Sequence, residues 1–217
     1  MTRSFAGRAV VFDLDGTLLD SLPLVLAAIR HAIEPFGGKA DMDLFAHLGG
    51  PPEKFMGTLI PRRSDVPAAL RRMYEYHHQH HELIQPYAGA VETLGALRRQ
   101  GRPVAVWTGR DRNSTEVLAR RWRLDAEISA LVCGDDLPNH KPHPDGLREI
   151  LRRLGCEAKD CVMVGDADVD VLGAHACEMD AILIRHARTP ADDVLAKARH
   201  VVSSPVEAYA AVLGEPR

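Results

Sequence analysis

No two of the four cysteines, Cys133, Cys156, Cys161 and Cys177, stand in CxxC spacing, and none lies near a histidine at zinc-finger spacing. That pattern removes a structural zinc site and a thioredoxin-like dithiol, and leaves reduced, partly buried thiols. No apolar run approaches the roughly 20 residues a membrane span needs; the longest near-apolar stretch is Leu22 to Ile29. No long apolar segment precedes the first strand, so a secretory signal is not expected, and the reading is of a cytoplasmic chain. Charge of either sign is not in excess: 27 Lys and Arg stand against 30 Asp and Glu, a net charge of −3. That balance argues against a nucleic-acid or membrane-surface partner. There is no internal repeat and no low-complexity segment. What remains is an ordinary globular composition, with 46% apolar and 26% charged residues in 217, enough for one large or two small domains with a sizeable core.

Short β-branched runs punctuate the chain: Val10 to Phe12 led in by Ala9, Val104 to Trp107, Leu131 to Cys133, Val162 to Val164, Ile182 to Ile184 and His200 to Val202. They read as buried strands. Between most of them lie amphipathic helical stretches at Ala90 to Arg99, Asn113 to Arg121, Asp145 to Leu154 and Val169 to Cys177. Strands alternating with helices predict an α/β fold with a parallel sheet covered on both faces. Residues 20–85 break that rhythm. They offer helical patterns at Leu22 to Phe36, Asp43 to His47, Glu53 to Leu59 and Val66 to Ile84, and no convincing strand. The expectation is an α/β core of residues 1–19 and 86–217, with an all-helical insert at 20–85. Hinges are expected at Thr17 to Ser21 and Gln85 to Gly89.

Four short segments follow, or sit at, the C-terminal ends of predicted strands, where ligand sites of open α/β sheets gather. In Asp13-Leu14-Asp15-Gly16-Thr17 the two acids project the same way if the strand continues, and Gly16 lets the chain turn. Alternatively they are a solvated strand end. In Trp107-Thr108-Gly109-Arg110 a hydroxyl and a glycine N–H past a strand suit a phosphate oxygen, or Thr108 caps a helix. In Asn139-His140-Lys141-Pro142-His143-Pro144 the lysine either delivers a fixed positive charge or faces solvent. In Gly165-Asp166-Ala167-Asp168-Val169-Asp170, Asp166 and Asp170 share a helix face, while Asp168 points elsewhere as a cap or a solvated acid.

Taken together, the segments bring about four carboxylates, a lysine and a hydroxyl to one edge of the sheet. So many converging acids would raise one another's pKa unless a cation joined them. Oxygen donors without cysteine or an ordered histidine set favour Mg²⁺, which also takes substrate phosphate oxygens.

With DLDGT, Thr108 after a strand, Lys141 in KPHP and GDADVD in this order, the sequence resembles the haloacid dehalogenase-like (HAD) hydrolase superfamily over residues 8–20 and 86–190. Its helical insert, with Leu48-Gly49-Gly50-Pro51-Pro52-Glu53, resembles the cap of the phosphoglycolate phosphatase-like subgroup. The resemblance implies a Rossmann-like doubly wound core with a helical cap. It implies a Mg²⁺-dependent phosphomonoester hydrolase acting on a small phosphorylated metabolite, such as phosphoglycolate, a sugar phosphate, a nucleotide or pyrophosphate. In that scheme Asp13 is the nucleophile and forms an aspartyl-phosphate. Mg²⁺ sits on Asp13, the Asp15 backbone carbonyl and Asp166. Asp15 carries the proton. Thr108, Gly109 and Lys141 neutralise phosphate oxygens, and Asp170 orients Lys141 or a metal-bound water. Two departures stand out. Cys177-Glu178 replaces the family's usual Ala-Gly at the end of the helix after GDADVD. Arg110 follows Thr108-Gly109 where a small residue is common, and either touches substrate or pairs with an acid.

Rivals follow from the same residues. A dehalogenase does not need Asp15, and a phosphonatase needs a cap lysine, for which only Lys39 and Lys54 are present. A sugar phosphomutase is the enzymatic alternative, and a non-catalytic phosphometabolite-binding protein the other. Residues Gly49 to Lys54 are the expected specificity contacts, and the chain is expected to be a monomer or homodimer. His77 and His81 share a helix face and could hold a metal weakly, or form a polar face.

Overall fold

The computed structural model describes residues 5–39 and 52–214. The chain divides into two compact units, residues 1–19 with 86–217, and residues 20–85.

The larger unit is built on β-branched strands: β1 (Ala9–Phe12), β4 (Val104–Trp107), β5 (Ala130–Val132), β6 (Cys161–Gly165), β7 (Asp180–Ile184) and β8 (His200–Val202). They form one six-stranded sheet in the order β5-β4-β1-β6-β7-β8, and every adjacent pair is parallel. Two very short strands, β2 (Leu19–Asp20) and β3 (Gln85–Pro86), pair separately where the chain passes from one unit to the other. Parallel strands need crossovers, and helices supply them. They are α4 (Ala90–Arg99), α5 (Arg112–Arg121), α6 (Asp145–Leu154), α7 (Asp168–Ala176) and the single turn α8 (Asp192–Leu195), and α9 (Pro205–Leu213) follows the last strand.

Alternation along the strands divides the side chains between two faces. Val11, Ala105, Met163 and Leu183 pack with Leu147 and Ile150 of α6 and Val171 and Ala174 of α7 in one core. Their neighbours Val10, Phe12, Val104, Val106, Val162 and Val164 are equally buried, so both faces are covered. Phe12 meets the edge of the Tyr209 ring from α9 at 6.4 Å.

The smaller unit consists of α1 (Leu22–Ile33), α2 (Pro52–Leu59) and α3 (Val66–Gln79), with short 3₁₀ turns. Ala28, Ile29, Ala32 and Ile33 of α1 bury against Met56, Ala69 and Met73. The helix expected over Leu22 to Phe36 gives way to a 3₁₀ turn at Glu34–Phe36, because Pro35 cannot donate the next helical bond. The helix expected over Val66 to Ile84 stops at Gln79. There the His80 ring stacks on Tyr76 at 3.8 Å, and its Nδ1 lies 2.9 Å from the Tyr76 carbonyl oxygen. The helix expected at Asp43 to His47 lies outside the described residues. None of the described helices is long and apolar enough to cross a membrane.

Candidate active site

The order of the sheet decides where the site lies. β1 has β4 on one side and β6 on the other, so the crossovers diverge from its C-terminal end and leave a crevice there. Phe12 pairs in register with Val106 and Val164. The residues that follow these three strands therefore emerge side by side. A cavity of 290 Å³ at this edge is lined by Asp13, Asp15, Thr108, Gly109, Arg110, Lys141, Asp166 and Asp170. All eight site residues expected from the sequence meet there.

Asp13 continues the β1 ladder, donating its N–H to the Val164 carbonyl at 2.8 Å, and its side chain is buried. Gly16 then turns the chain at φ +77°, and any side chain there would collide with the Asp166 carboxylate. Gly165 is confined in the same way by Asp170. Glycine at these two positions is what lets the first and fourth segments touch.

Lys141 is not a solvent lysine. Its Nζ donates to Asp13 Oδ1 and to Asp170 Oδ1, both at 2.6 Å, with side-chain exposures of 9%, 10% and 1% for Lys141, Asp13 and Asp170. The ammonium also lies 4.6 Å from the centre of the Trp107 ring, a cation–π contact that helps hold a charge out of water. Burial works against the lysine's charge, but Asp13 and Asp170 outweigh it and raise its pKa. Asp170 is anchored in turn, since its Oδ2 accepts the Ala167 N–H at 3.0 Å.

Oxygens of Asp13, Asp166 and Asp170 lie within 4.8 Å of one another. Burial raises the Asp13 carboxyl well above the ordinary carboxylate range; Lys141 opposes this, and the neighbouring Asp170 and Asp166 add to it. Burial likewise pushes Asp166 up to about 7, with Asp170 contributing and Arg188 and Lys141 opposing. One lysine does not neutralise this group. Its all-oxygen chemistry and surplus negative charge fit a hard divalent cation.

Asp15 is set apart from that group. Its two carboxylate oxygens accept from Arg110 Nε at 2.9 Å and Nη2 at 2.6 Å, a fork-to-fork pair. Between the two roles left open for Arg110, the observed partner is the acid. Arg110 also donates its backbone N–H to Thr108 Oγ1 at 3.1 Å. Thr108 is not a helix cap. Asp111 caps α5 by accepting the Ser114 N–H at 2.9 Å, so the Thr108 hydroxyl hydrogen can turn toward the cavity. Asp168 lies outside the cavity lining and pairs with Arg188 at 3.2 Å.

Three contributors were not singled out from the sequence. Trp107 reads there as a buried strand residue, and nothing in the pattern reports that its ring faces a lysine 34 positions on. Arg188 donates to the Asp166 backbone carbonyl. His186, held at φ +48°, donates from Nε2 to the Gly16 carbonyl at 2.7 Å. The cluster of Arg185, His186 and Arg188 just past β7 is the signal that could have found the last two, because β7 is the next strand end beside β6.

The histidine stretch behaves differently. The His77 and His81 rings meet edge-on at 5.8 Å, and among the described residues the only potential metal-holding group of three or more is that of Asp13, Asp166 and Asp170. Gly49, Gly50 and Pro51 lie outside the described residues, as do the side chains of Glu53 and Lys54.

Comparison with known proteins places this geometry in context. The sequence profile of the haloacid dehalogenase-like hydrolases matches residues 10–184. A pyrophosphatase, PpaX, of Halalkalibacterium halodurans is 30% identical over 182 residues, covering 83% of this chain and 84% of the relative. Among solved structures, a β-phosphoglucomutase candidate from Thermotoga maritima superposes with a TM-score of 0.79 at 24% identity, over 93% of this chain and 96% of the other. A phosphoglycolate phosphatase candidate from Haemophilus somnus gives 0.77 at 22% identity, with the same coverage. At such identities the two structures establish likeness of fold.

Proposed function

The chain belongs to the haloacid dehalogenase-like hydrolase family, and on that premise we propose that it is a Mg²⁺-dependent phosphohydrolase that releases phosphate from a small phosphorylated metabolite through an aspartyl-phosphate on Asp13. The observation that carries this reading is the buried Asp13–Lys141–Asp170 chain, with Asp166 in reach, at the switch point of the sheet.

Asp13 and Asp166 would hold Mg²⁺ with the Asp15 backbone carbonyl. Bound there, it would offset the surplus carboxylate charge and would supply Lewis-acid stabilisation to a phosphate oxygen. The Asp13 carboxylate attacks phosphorus as the bond to the leaving oxygen breaks. The Asp15 carboxyl protonates that oxygen, then takes a proton from the water that cleaves the acyl phosphate. Lys141, the Thr108 hydroxyl and the Gly109 N–H face the transferring oxygens and spread their charge. Asp170 keeps Lys141 in line. Arg110 fixes the direction of Asp15, and one of its two hydrogen bonds gives way whenever Asp15 carries the proton.

The substrate panel that tests this contains phosphoglycolate, sugar phosphates, nucleotides and inorganic pyrophosphate, the last supported by the relative's name. Phosphate release is expected in Mg²⁺ and not in excess EDTA. Asp13→Asn is expected to fold and to fall below a few per cent of the parent rate. Full turnover in EDTA, or by Asp13→Asn, would overturn the mechanism.

A further inference from the structure

Away from the site, at the opposite end of the strand that delivers Asp166, two thiols meet. Cys161 opens β6 and is fully buried. Cys156 follows Gly155 at the end of α6 and is partly buried against the same core. A single 3₁₀ turn, Ala158–Asp160, brings the chain back between them. Their sulfurs lie 3.1 Å apart. A disulfide needs about 2.05 Å, so closing it requires an approach of about 1 Å by side chains already in contact.

We propose that Cys156 and Cys161 are a redox-active pair that closes an intramolecular disulfide on exposure to peroxide and so staples the end of α6 to the start of β6.

The surroundings set the order of events. Burial raises the Cys161 thiol above its ordinary range, the neighbouring Cys156 adds to this, and the Arg8 guanidinium opposes it. Cys156, the more accessible of the two, meets the oxidant first. Its sulfur attacks peroxide, the O–O bond breaks, and a sulfenic acid forms with loss of one water. Cys161 then gives up its proton, attacks the sulfenic sulfur and displaces the second water. Two thiols and one peroxide become one disulfide and two waters. The two remaining cysteines are placed otherwise. Burial pushes Cys133 up to about 11, and the Cys177 thiol donates to the Pro144 carbonyl at 3.6 Å. Arg8 also fastens the strand end, donating to the Cys161 carbonyl at 2.5 Å and pairing with Asp180 at 2.6 Å. The sulfur that must move is therefore attached to a fixed backbone.

The sequence makes the test direct, because Lys159 lies between the two cysteines. The full chain carrying Cys177→Ser is treated with equimolar hydrogen peroxide, alkylated without reduction and cut with trypsin. The peptides 154–159 and 160–185 are expected to remain joined, two hydrogens lighter than their sum, and to separate in dithiothreitol. Unfolding of the oxidised protein is expected about 5 °C higher, the gain of closing so short a loop in a chain of this size. Cys156→Ser should abolish both effects. Unlinked peptides, or Cys156 recovered as sulfinic acid, would overturn the pairing. A disulfide that forms without raising the unfolding midpoint would overturn the stapling role.

Discussion

Replacing Lys141 by methionine separates what the lysine does for the fold from what it does for the chemistry. Its Nζ lies 2.6 Å from each of two carboxylates in a place almost closed to water. At an effective dielectric constant of about 20, each contact is worth about 6 kcal/mol of attraction. Most of that is cancelled by the cost of taking the charges out of water. Removing the lysine strands Asp13 and Asp170, and such stranding costs about 3–5 kcal/mol. For a chain of this length that is a fall of about 6–20 °C in unfolding temperature, measured near pH 8 in EDTA so that no cation substitutes. Methionine keeps the length of the stem, so loss of packing contributes little. Asp170→Asn placed on Lys141→Met removes one stranded charge and should recover a good part of the lost stability. Phosphate release in Mg²⁺ should not recover, since the ammonium that would face the transferring oxygens is gone. If Lys141→Met unfolds within about 1 kcal/mol of the parent in urea, the change is no larger than that of an average point substitution, and the electrostatic argument fails.

The Asp166 carboxyl, raised to about 7 without metal, holds a proton that the unfolded chain releases near pH 4. The stability it contributes is complete in acid below that value and is lost as pH rises through about 7, at most about 4 kcal/mol. In EDTA the parent should therefore weaken relative to Asp166→Asn between pH 5 and 8, and Mg²⁺ should reverse this; identical pH profiles would count against it. Glu178, just past the Cys177 cap of α7, is held at φ +57°, so Glu178→Gly should raise stability by about 0.5–1 kcal/mol in chemical denaturation; a loss would mean that its side chain matters more than its backbone. Arg110→Lys keeps the charge but loses the fork on Asp15. It should lower kcat about 10- to 100-fold with KM nearly unchanged, most for poor leaving groups. A rise in KM alone would make Arg110 a substrate contact instead.

The strands β4 and β8 and the helices α4 and α6 coincide with their sequence patterns, because β-branched runs and 3.6-residue periodicity are local signals. The fifth strand was expected one residue late. Cys133 donates its N–H to Asp136 Oδ2 at 2.8 Å rather than extending the ladder, a competition invisible in an apolar run. The last helix, α9, is not among the expected elements, although Ser204-Pro205 with Glu207 three residues on is a helix-start signal; Ser204 Oγ accepts the Glu207 N–H at 3.4 Å. In the site, residue types at strand ends picked out side chains that line one common cavity. Partners did not follow from them. That Arg110 reaches back 95 residues to Asp15, or that Trp107 lies beneath Lys141, depends on strand order, which no single segment encodes.

That strand order also fixes when the chemistry can exist. Lys141 stands 128 residues from Asp13 along the chain, and each contact crosses a seam of the sheet that closes only when distant strands have found one another. No excised fragment of the larger unit would hold the constellation, however well its helices formed. During refolding, helical signal should return early from local contacts, while turnover waits for the longest-range pairings. Regain of activity is then a clock for completion of the sheet, and an intermediate lacking either seam of β1 would be folded in most of its parts and chemically silent.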